Sequence, residues 1–131
     1  MAIKSGWNES GTLTLIASAT VDQYELVKIT GDGTCAPAGS GERVVGVAMT
    51  AATATGIAID VDALNRSGSF PAITAASVTA GAAVYSFTGG LVKASTTAGS
   101  GVECAIGVCV HGSTAVGDQI LIAPVFGRAT T

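Results

Sequence analysis

The feature that most constrains the fold of this 131-residue chain is an internal repeat, in which residues 21–64 align with residues 78–126. The aligned pairs agree in residue type or size: Val21 with Val78, Val27 with Val84, Val45-Gly46-Val47-Ala48 with Ile106-Gly107-Val108-Cys109, and Gly56 with Gly117. A repeat of this period predicts two copies of one supersecondary unit that bury their apolar faces together. We therefore expect two similar halves within a single domain.

Within each half, the apolar residues alternate as they do in β-strands. In residues 102–110 the larger side chains occupy even positions and small or polar ones occupy most odd positions. Such alternation is typical of a strand with one buried face. It predicts that Ile106, Val108 and Val110 point together into the core.

The corresponding stretch of the first half has the same period. Val45, Val47 and Met49 are predicted to share one face, with Val44, Gly46 and Ala48 on the other. The small residues at these positions indicate a place where two sheets or two subunits come close together.

Ten short strands separated by small turns predict an all-β fold, a compact β-barrel or β-sandwich built from two quasi-repeated halves, with an extended N-terminal arm. The strands are predicted at 12–19, 24–30, 33–37, 43–49, 56–62, 71–74, 83–87, 91–95, 103–110 and 118–125. Gly31-Asp32-Gly33 and Gly89-Gly90 predict tight hairpin turns that need positive φ.

The domain organisation predicted from these patterns is an arm at 1–11, a single β domain at 12–126 and a short tail at 127–131. The arm contains Trp7, the one tryptophan of the chain, in a polar and aperiodic setting. Trp7 either folds back onto its own domain or anchors the arm on a partner, since tryptophan is enriched among residues that dominate binding. In the second case the partner-binding residues are Trp7, Ile3, Asn8 and Leu13.

Composition excludes several classes of function. Charged residues make up 11% of the chain, Lys and Arg number six, and the net charge is −3, so a nucleic-acid partner is not expected. The longest apolar run, 120–126, contains a proline and is far shorter than the roughly 20 residues of a membrane-spanning helix. The opening residues lack the apolar segment of a signal peptide. We expect a protein that is made in a cytoplasm and has no membrane partner.

The sequence offers little for catalysis. A nucleophile–base arrangement requires a base, and His111 is the single histidine, placed where a strand is expected to end. Gly31-Asp32-Gly33-Thr34 is glycine-rich, but neither the lysine nor the helix of a phosphate-binding loop follows. We expect no catalytic residues, no cofactor and no enzymatic activity.

Metal binding is also not expected. Cys104 and Cys109 are five residues apart on one strand and point to opposite faces. Asp60 and Asp62 share a face and resemble the start of a calcium loop, but Pro71 stands where such a loop needs its closing glutamate. Buried packing is the expected role of the cysteines, including Cys35.

Taken together, these segments resemble the capsid cement, or head decoration, family of tailed bacteriophages. The resemblance runs through the opening stretch 9–15, through 26–34 and 44–48 in the first half, and through 78–84 and 106–109 in the second. One departure is that Gln23-Tyr24 stands where the second half has Ala80-Gly81, which predicts a different turn in the first half.

The resemblance implies a structural virion protein on the outer capsid surface. It implies binding to the major capsid protein of the mature phage capsid, where the protein reinforces contacts between capsomers. A homo-oligomer is expected, with a trimer the state that the resemblance favours. No catalytic residue, cofactor site or metal site is carried over.

Two alternatives stay open. One is another virion structural module, such as a head fibre base or a tail-associated β domain. The other is a small carrier or ligand-binding β module resembling lipoyl-type domains, which need a lysine at an exposed hairpin tip. The loop between the halves has Arg66 in place of a lysine, and Lys28 and Lys93 are predicted within strands.

Overall fold

Ten strands and one 3₁₀ turn make up the computed structural model, which describes residues 12–40, 42–64, 69–94 and 106–124. The strands are β1 (Thr12–Ala17), β2 (Leu26–Gly31), β3 (Thr34–Pro37), β4 (Gly46–Ala48), β5 (Ala58–Ala63), β6 (Phe70–Ile73), β7 (Ala83–Ser86), β8 (Val92–Lys93), β9 (Gly107–His111) and β10 (Gln119–Pro124). The 3₁₀ turn Thr88–Gly90 joins β7 to β8. Each strand overlaps one of the ten predicted strands. The predicted arm 1–11 and tail 127–131 lie outside the described residues, so the domain boundaries stay predictions.

The first unit, β1–β5, is a closed barrel with the strand order β1-β3-β2-β4-β5. The barrel closes because β1 pairs antiparallel with β5 and parallel with β3, where Ile16 is opposite Thr34. The hairpin between β2 and β3 turns at Gly33, whose φ is 75°. The predicted hairpin turn is therefore confirmed.

The second unit, β6–β10, repeats this arrangement in a five-stranded sheet with the order β6-β10-β9-β7-β8. Matching β6 to β1, and so on to β10 and β5, gives the same neighbours in both units. A single parallel bridge between Thr74 and Val92 takes the place of the β1–β3 pairing, where Ala17 faces Cys35. The prediction of an all-β fold from two quasi-repeated halves is confirmed.

The repeat extends to individual hydrogen bonds. In the first unit the amides of Val21 and Ala52 donate to each other's carbonyl oxygens at 3.0 and 2.8 Å. In the second unit Val78 and Ser113 make the equivalent pair, with both distances 2.9 Å. The two halves of the chain thus form the same backbone pairing at these positions although their side chains differ, as the alignment of the halves predicts.

The buried side chains form two clusters. The inner cluster fills the first barrel and comprises Leu15, Ala17, Val21, Val27, Cys35, Ala48, Ala52, Ile59 and Val61. The shared cluster comprises Leu26, Ala38, Val47, Leu64, Phe70, Ala72, Val78, Val84, Val92, Ile106, Cys109, Ile120 and Ile122. Four members of the shared cluster come from the first unit, so the outer side of the barrel packs against the core of the second unit.

Polar contacts complete this junction between the units. The Ser86 hydroxyl donates to the carbonyl oxygen of Gly39 at 3.1 Å, and the Gly90 amide donates to that of Ala38 at 2.8 Å. Gly90 is buried with φ 79°, and a Cβ there would lie 2.8 Å from the Glu25 Cβ. The turn of the second unit is therefore seated directly on the first unit.

The predicted side-chain alternation is wrong at one point in each unit. Val47 and Met49 both lie on the side of the shared cluster, as predicted. Val45 instead lies with Ala48 on the side of the inner cluster. The alternation slips beside Gly46, whose hydrogen faces the carbonyl oxygen of Asp62 in β5. The absence of a Cβ thus permits a close approach between neighbouring strands of one sheet, where the sequence predicted separate sheets or subunits.

The second unit slips in the same way. Cys109 and Ile106 are buried in the shared cluster, whereas Val108 is half-buried and Val110 is 42% exposed. The prediction that Val108 and Val110 point into the core with Ile106 is therefore wrong. A register shift between β9 and β10 accompanies the change, and Gly107 lies against the Ala123 carbonyl.

The turn before β2 is a further correction. The Tyr24 amide donates to the Ala48 carbonyl at 2.7 Å, as the Gly81 amide does to that of Cys109 at 2.8 Å. Tyr24 has φ 70°, in the left-handed region that Gly81 occupies with φ 90°. The turn is the same in both units, because the Tyr24 side chain packs against the shared cluster.

Candidate partner-binding surfaces

The predicted partner-binding residues fall in two places. Trp7, Ile3 and Asn8 lie outside the described residues. Leu13 lies in β1 opposite Val61, half-buried against the inner cluster. Its described contacts therefore belong to its own barrel, and a contact with a partner stays a prediction.

The polar residues considered for chemistry are dispersed. His111 is exposed at the end of β9, opposite Leu121 of β10. Among residues 12–40, 42–64, 69–94 and 106–124, no three His, Cys, Asp or Glu side chains come together as a metal site would require.

The two described cysteines are structural. Cys35 and Cys109 are buried, and burial raises the pKa of each thiol, which keeps both in the protonated form at neutral pH. They occupy the positions of Val92 and Ala48 in the other unit, so they act as small apolar residues. Cys104 lies outside the described residues.

The two carboxylates of β5 have different surroundings. Asp62 is buried and accepts a hydrogen bond from the Thr12 hydroxyl at 3.1 Å. Asp60 is exposed, and its amide donates to the Thr50 hydroxyl at 3.0 Å. A buried carboxylate that ties β1 to β5 serves the closure of the barrel.

An open depression of about 560 Å³ lies between residues 77–80 and 112–114 of the second unit. Asp118 is the ionisable residue in its lining, and its carboxylate accepts a hydrogen bond of 2.5 Å from the Ser113 hydroxyl. Ligand sites are normally enclosed and apolar with converging polar groups. This depression has no such lining, so the outer surfaces of the units are the stronger candidates for binding.

The outer surface of the first unit is polar. A row of hydroxyls runs from the residue after β1 across β2 to β3, with Ser18 at 2.8 Å from Thr30 and Thr30 at 3.0 Å from Thr34. Among the described residues this unit has six carboxylates and two cations, whereas the second unit has one of each. The first unit is therefore the acidic one.

Two of these carboxyls have shifted pKa values. Burial raises the pKa of Glu25. The Lys28 ammonium, 2.7 Å away, and the Gly39 amide hold the pKa of Glu42 below its ordinary value. Both groups lie in the first unit, and the contact of Glu42 with Lys28 is the one that acid weakens.

The outer surface of the second unit is apolar at the same positions. We call this the outer apolar surface, and it comprises Pro71, Ile73, Tyr85, Phe87, Leu91 and Leu121. The equivalent residues of the first unit are, in the same order, Thr14, Ile16, Lys28, Thr30, Thr34 and Asp60. All six side chains of the outer apolar surface are half-buried, and none belongs to the shared cluster. The Lys93 ammonium lies 4.4 Å from the centre of the Phe87 ring, which stacks a cation on this surface.

The chain has the fold of a phage head fibre domain. It is similar to the N base of head fibre gp8.5 of bacteriophage phi29, with a TM-score of 0.72 over 92% of this chain and 98% of that one. The two sequences are 15% identical, so the likeness is one of fold alone. Neither a protein-family model nor a curated protein matches the sequence. The described residues include no helix of the length and apolarity that crossing a membrane requires.

Proposed function

We propose that this protein is a structural component of a phage virion, which binds the exterior of the mature capsid and reinforces contacts between capsomers of the major capsid protein. The observation that carries the proposal is the fold, shared over 92% of the chain with a domain of a phage head fibre. The sequence segments that resemble head decoration proteins support it independently.

The second candidate is the base of a head fibre, which the same structural likeness favours. The two functions differ in how many copies a particle carries. A reinforcing protein occupies equivalent positions over the whole shell, whereas a fibre base occupies the positions where fibres are attached. Copy number per purified particle, measured by quantitative mass spectrometry, separates them.

The outer apolar surface of the second unit is the candidate face for the shell. A group of apolar side chains that stay partly accessible to solvent is typical of a site of protein contact. The equivalent face of the first unit has polar residues at five of the six positions, so the repeat does not account for the apolar residues. The arm 1–11, with Trp7 as its anchor, is the second predicted contact.

Passive reinforcement requires no catalysis. A protein attached at many lattice points stabilises the shell through many simultaneous contacts, each of which raises the effective concentration for the next. In this proposal the protein uses no cofactor and no metal ion, and its partner is a repeated protein surface.

The test is co-sedimentation with purified mature capsids. The natural protein should pellet with the capsids, and a protein lacking residues 2–11 or carrying Leu121→Asp should remain in the supernatant while staying folded. Val116→Asp is the matched control, since Val116 is 70% exposed on a loop of the same unit outside the outer apolar surface. If the natural protein does not pellet with capsids, the proposal is wrong. If the Val116→Asp protein loses binding and the Leu121→Asp protein keeps it, the outer apolar surface is not the face that binds the shell.

A further inference from the structure

Strand β1 is paired along its whole length on one side and along only part of it on the other. On the first side, residues 12–16 all pair with β5. On the second side, pairing with β3 begins at Ile16 opposite Thr34, because the chain just before Thr34 forms the hairpin turn at Gly33. In the described barrel the neighbours of β1 are β3 and β5. Residues 12–15 therefore present an open edge.

Hydrogen bonds show which backbone groups point to this edge. The Ala17 amide donates to the Ile57 carbonyl oxygen next to β5, whereas the Ile16 amide donates to that of Gly33 next to β3, both at 2.9 Å. The backbone groups of successive residues in a strand point to alternate sides, so those of Thr14 point to the same side as those of Ile16. Thr14 is exposed. Its N–H and C=O groups thus form the kind of open edge that can pair with another strand.

The second unit has the same edge but carries a proline there. Strand β6 meets β8 at the single bridge between Thr74 and Val92, and Pro71 stands at the position of Thr14. Proline has no amide hydrogen to donate, and it is one of the residues that protect the edges of sheets from further pairing. The edge of β1 lacks this protection, which indicates that it is paired in the working protein.

The segment attached to this edge has the residues of a hairpin turn. The predicted arm 1–11 runs directly into Thr12, and its last four residues are Asn8-Glu9-Ser10-Gly11. Asparagine is preferred at the first position of a type I turn and glycine at the fourth. A type I turn followed by glycine in the left-handed region makes a three-residue hairpin loop. Such a loop reverses the chain and brings Asn8 opposite Thr12.

We propose that residues 5–8 of the arm pair antiparallel with residues 12–15 of β1 in the same chain, as an additional strand at the open edge. In this register Gly6 is opposite Thr14 and exchanges both backbone hydrogen bonds with it. The pairing ends where β3 begins, so the open part of β1 and the arm segment have equal lengths.

The register also gives Trp7 a place on its own domain, opposite Leu13. Side chains opposite one another in an antiparallel pair share a face and have Cβ atoms about 4.5–5.5 Å apart. Leu13 packs against the inner cluster but is half-buried, whereas Phe70, at its position in the second unit, is 4% exposed. An indole ring over Leu13 completes in the first unit the burial that the larger Phe70 reaches in the second.

Trp7 is the single tryptophan of the chain, so its fluorescence tests the pairing directly. In the natural protein its emission should be blue-shifted from that of free tryptophan and only weakly quenched by acrylamide. Thr14→Pro gives β1 the edge of the second unit, so the emission should shift to the red and quenching should increase several-fold. Thr14→Val is the matched control, which keeps the amide at the same exposed position and should change neither value. Circular dichroism establishes that each variant is folded.

Gly11→Val tests the turn and replaces Thr14→Pro if the latter unfolds. It removes the residue that needs positive φ and lies outside the β domain, so it should expose Trp7 without unfolding the barrel. The proposal is overturned if Trp7 of the natural protein is as accessible as free tryptophan, or if a folded Thr14→Pro or Gly11→Val protein keeps it shielded.

Dilution tests whether the arm pairs within its own chain. The emission of the natural protein should be independent of protein concentration, since the pairing is intramolecular. Shielding of Trp7 that is lost on dilution would mean that the arm occupies the edge of another copy, which overturns the same-chain pairing. These measurements need no capsids, so this inference and the proposed function can fail separately.

Discussion

The first and second units have the same strand order and equivalent backbone hydrogen bonds at Val21–Ala52 and Val78–Ser113, but their outer surfaces differ. Inside, the first unit has Val27, Ile59 and Val61 where the second has Val84, Ile120 and Ile122. Outside, Lys28 and Thr30 correspond to Tyr85 and Phe87. The interior is similar because both sheets bury one face at the same density. The outward-facing residues are not constrained in this way, so the differences between the two outer surfaces indicate that the units contact different partners or solvent.

The greatest destabilisation is expected where the two units are most alike. Gly46→Ala and Gly107→Ala each place a methyl group against the backbone of the neighbouring strand, with the Ala123 carbonyl oxygen only 2.5 Å away in the second case. Overpacking against a rigid backbone should lower the free energy of unfolding by about 3 kcal/mol or more in both variants. Urea denaturation of the two proteins measures this. If the Gly107→Ala protein kept its stability while the Gly46→Ala protein unfolded, the two units would not be equivalent at this position.

The turns at Gly90 and Gly33 separate the effect of the junction from that of the backbone. Both glycines have positive φ, so alanine at either position adds similar strain of about 1 kcal/mol. Only alanine at Gly90 also meets Glu25 and Leu26, which should raise its total to about 2–3 kcal/mol. Thermal unfolding of Gly90→Ala with Gly33→Ala as control measures the difference. Equal destabilisation would contradict the seating of the turn on the first unit.

The turns at Tyr24 and Gly81 test how a bulky residue is held at positive φ. Tyr24→Ala keeps the strained backbone and loses the packing of the ring on the shared cluster, so we expect a loss of about 2 kcal/mol. Gly81→Ala adds strain alone, about 1 kcal/mol, because a Cβ there meets nothing within 4 Å. Chemical denaturation of the two variants ranks them. The reverse order would mean that the ring contributes little.

The smallest effect is the acid sensitivity of the first unit. Lys28 and the Gly39 amide lower the pKa of Glu42 in the folded protein, so its contribution to stability is present above its ordinary value of 4.5 and is lost as the pH falls below that value. The pair is exposed, so salt weakens its effect. The second unit has Tyr85 in place of Lys28 and lacks this contact. Glu42→Gln should flatten the acid limb of the stability profile, and an unchanged profile would contradict the assignment.

Much of the fold can be predicted from the residues. Alternation and glycine punctuation locate all ten strands and the turn at Gly33, because those signals are local. The slip beside Gly46 and Gly107 could not be predicted, since alternation assumes a regular strand. Gly46 and Gly107 do occupy the same position of the repeat, which marks that position as special without showing that the alternation slips there.

The candidate surfaces were harder to find from the sequence. Trp7 stands out as a lone aromatic residue, but Pro71 and Leu121 are far apart along the chain and meet only through strand pairing. Comparison of equivalent positions in the two halves could have identified them, since five of the six exchange a polar for an apolar side chain. The positive φ of Tyr24 could not be predicted, because its side chain packs against a cluster whose members are far apart in the sequence.

The sequence by itself determined that this protein is all-β and that it has two similar halves. These properties follow from alternation, repetition and composition, which depend on residues close to one another in the chain. The tertiary structure decided which turn of the repeat is buried and which is left exposed, which barrel closes, and which outer surface is apolar. Those outcomes depend on how one unit packs against the other, which brings together residues that are far apart in the chain.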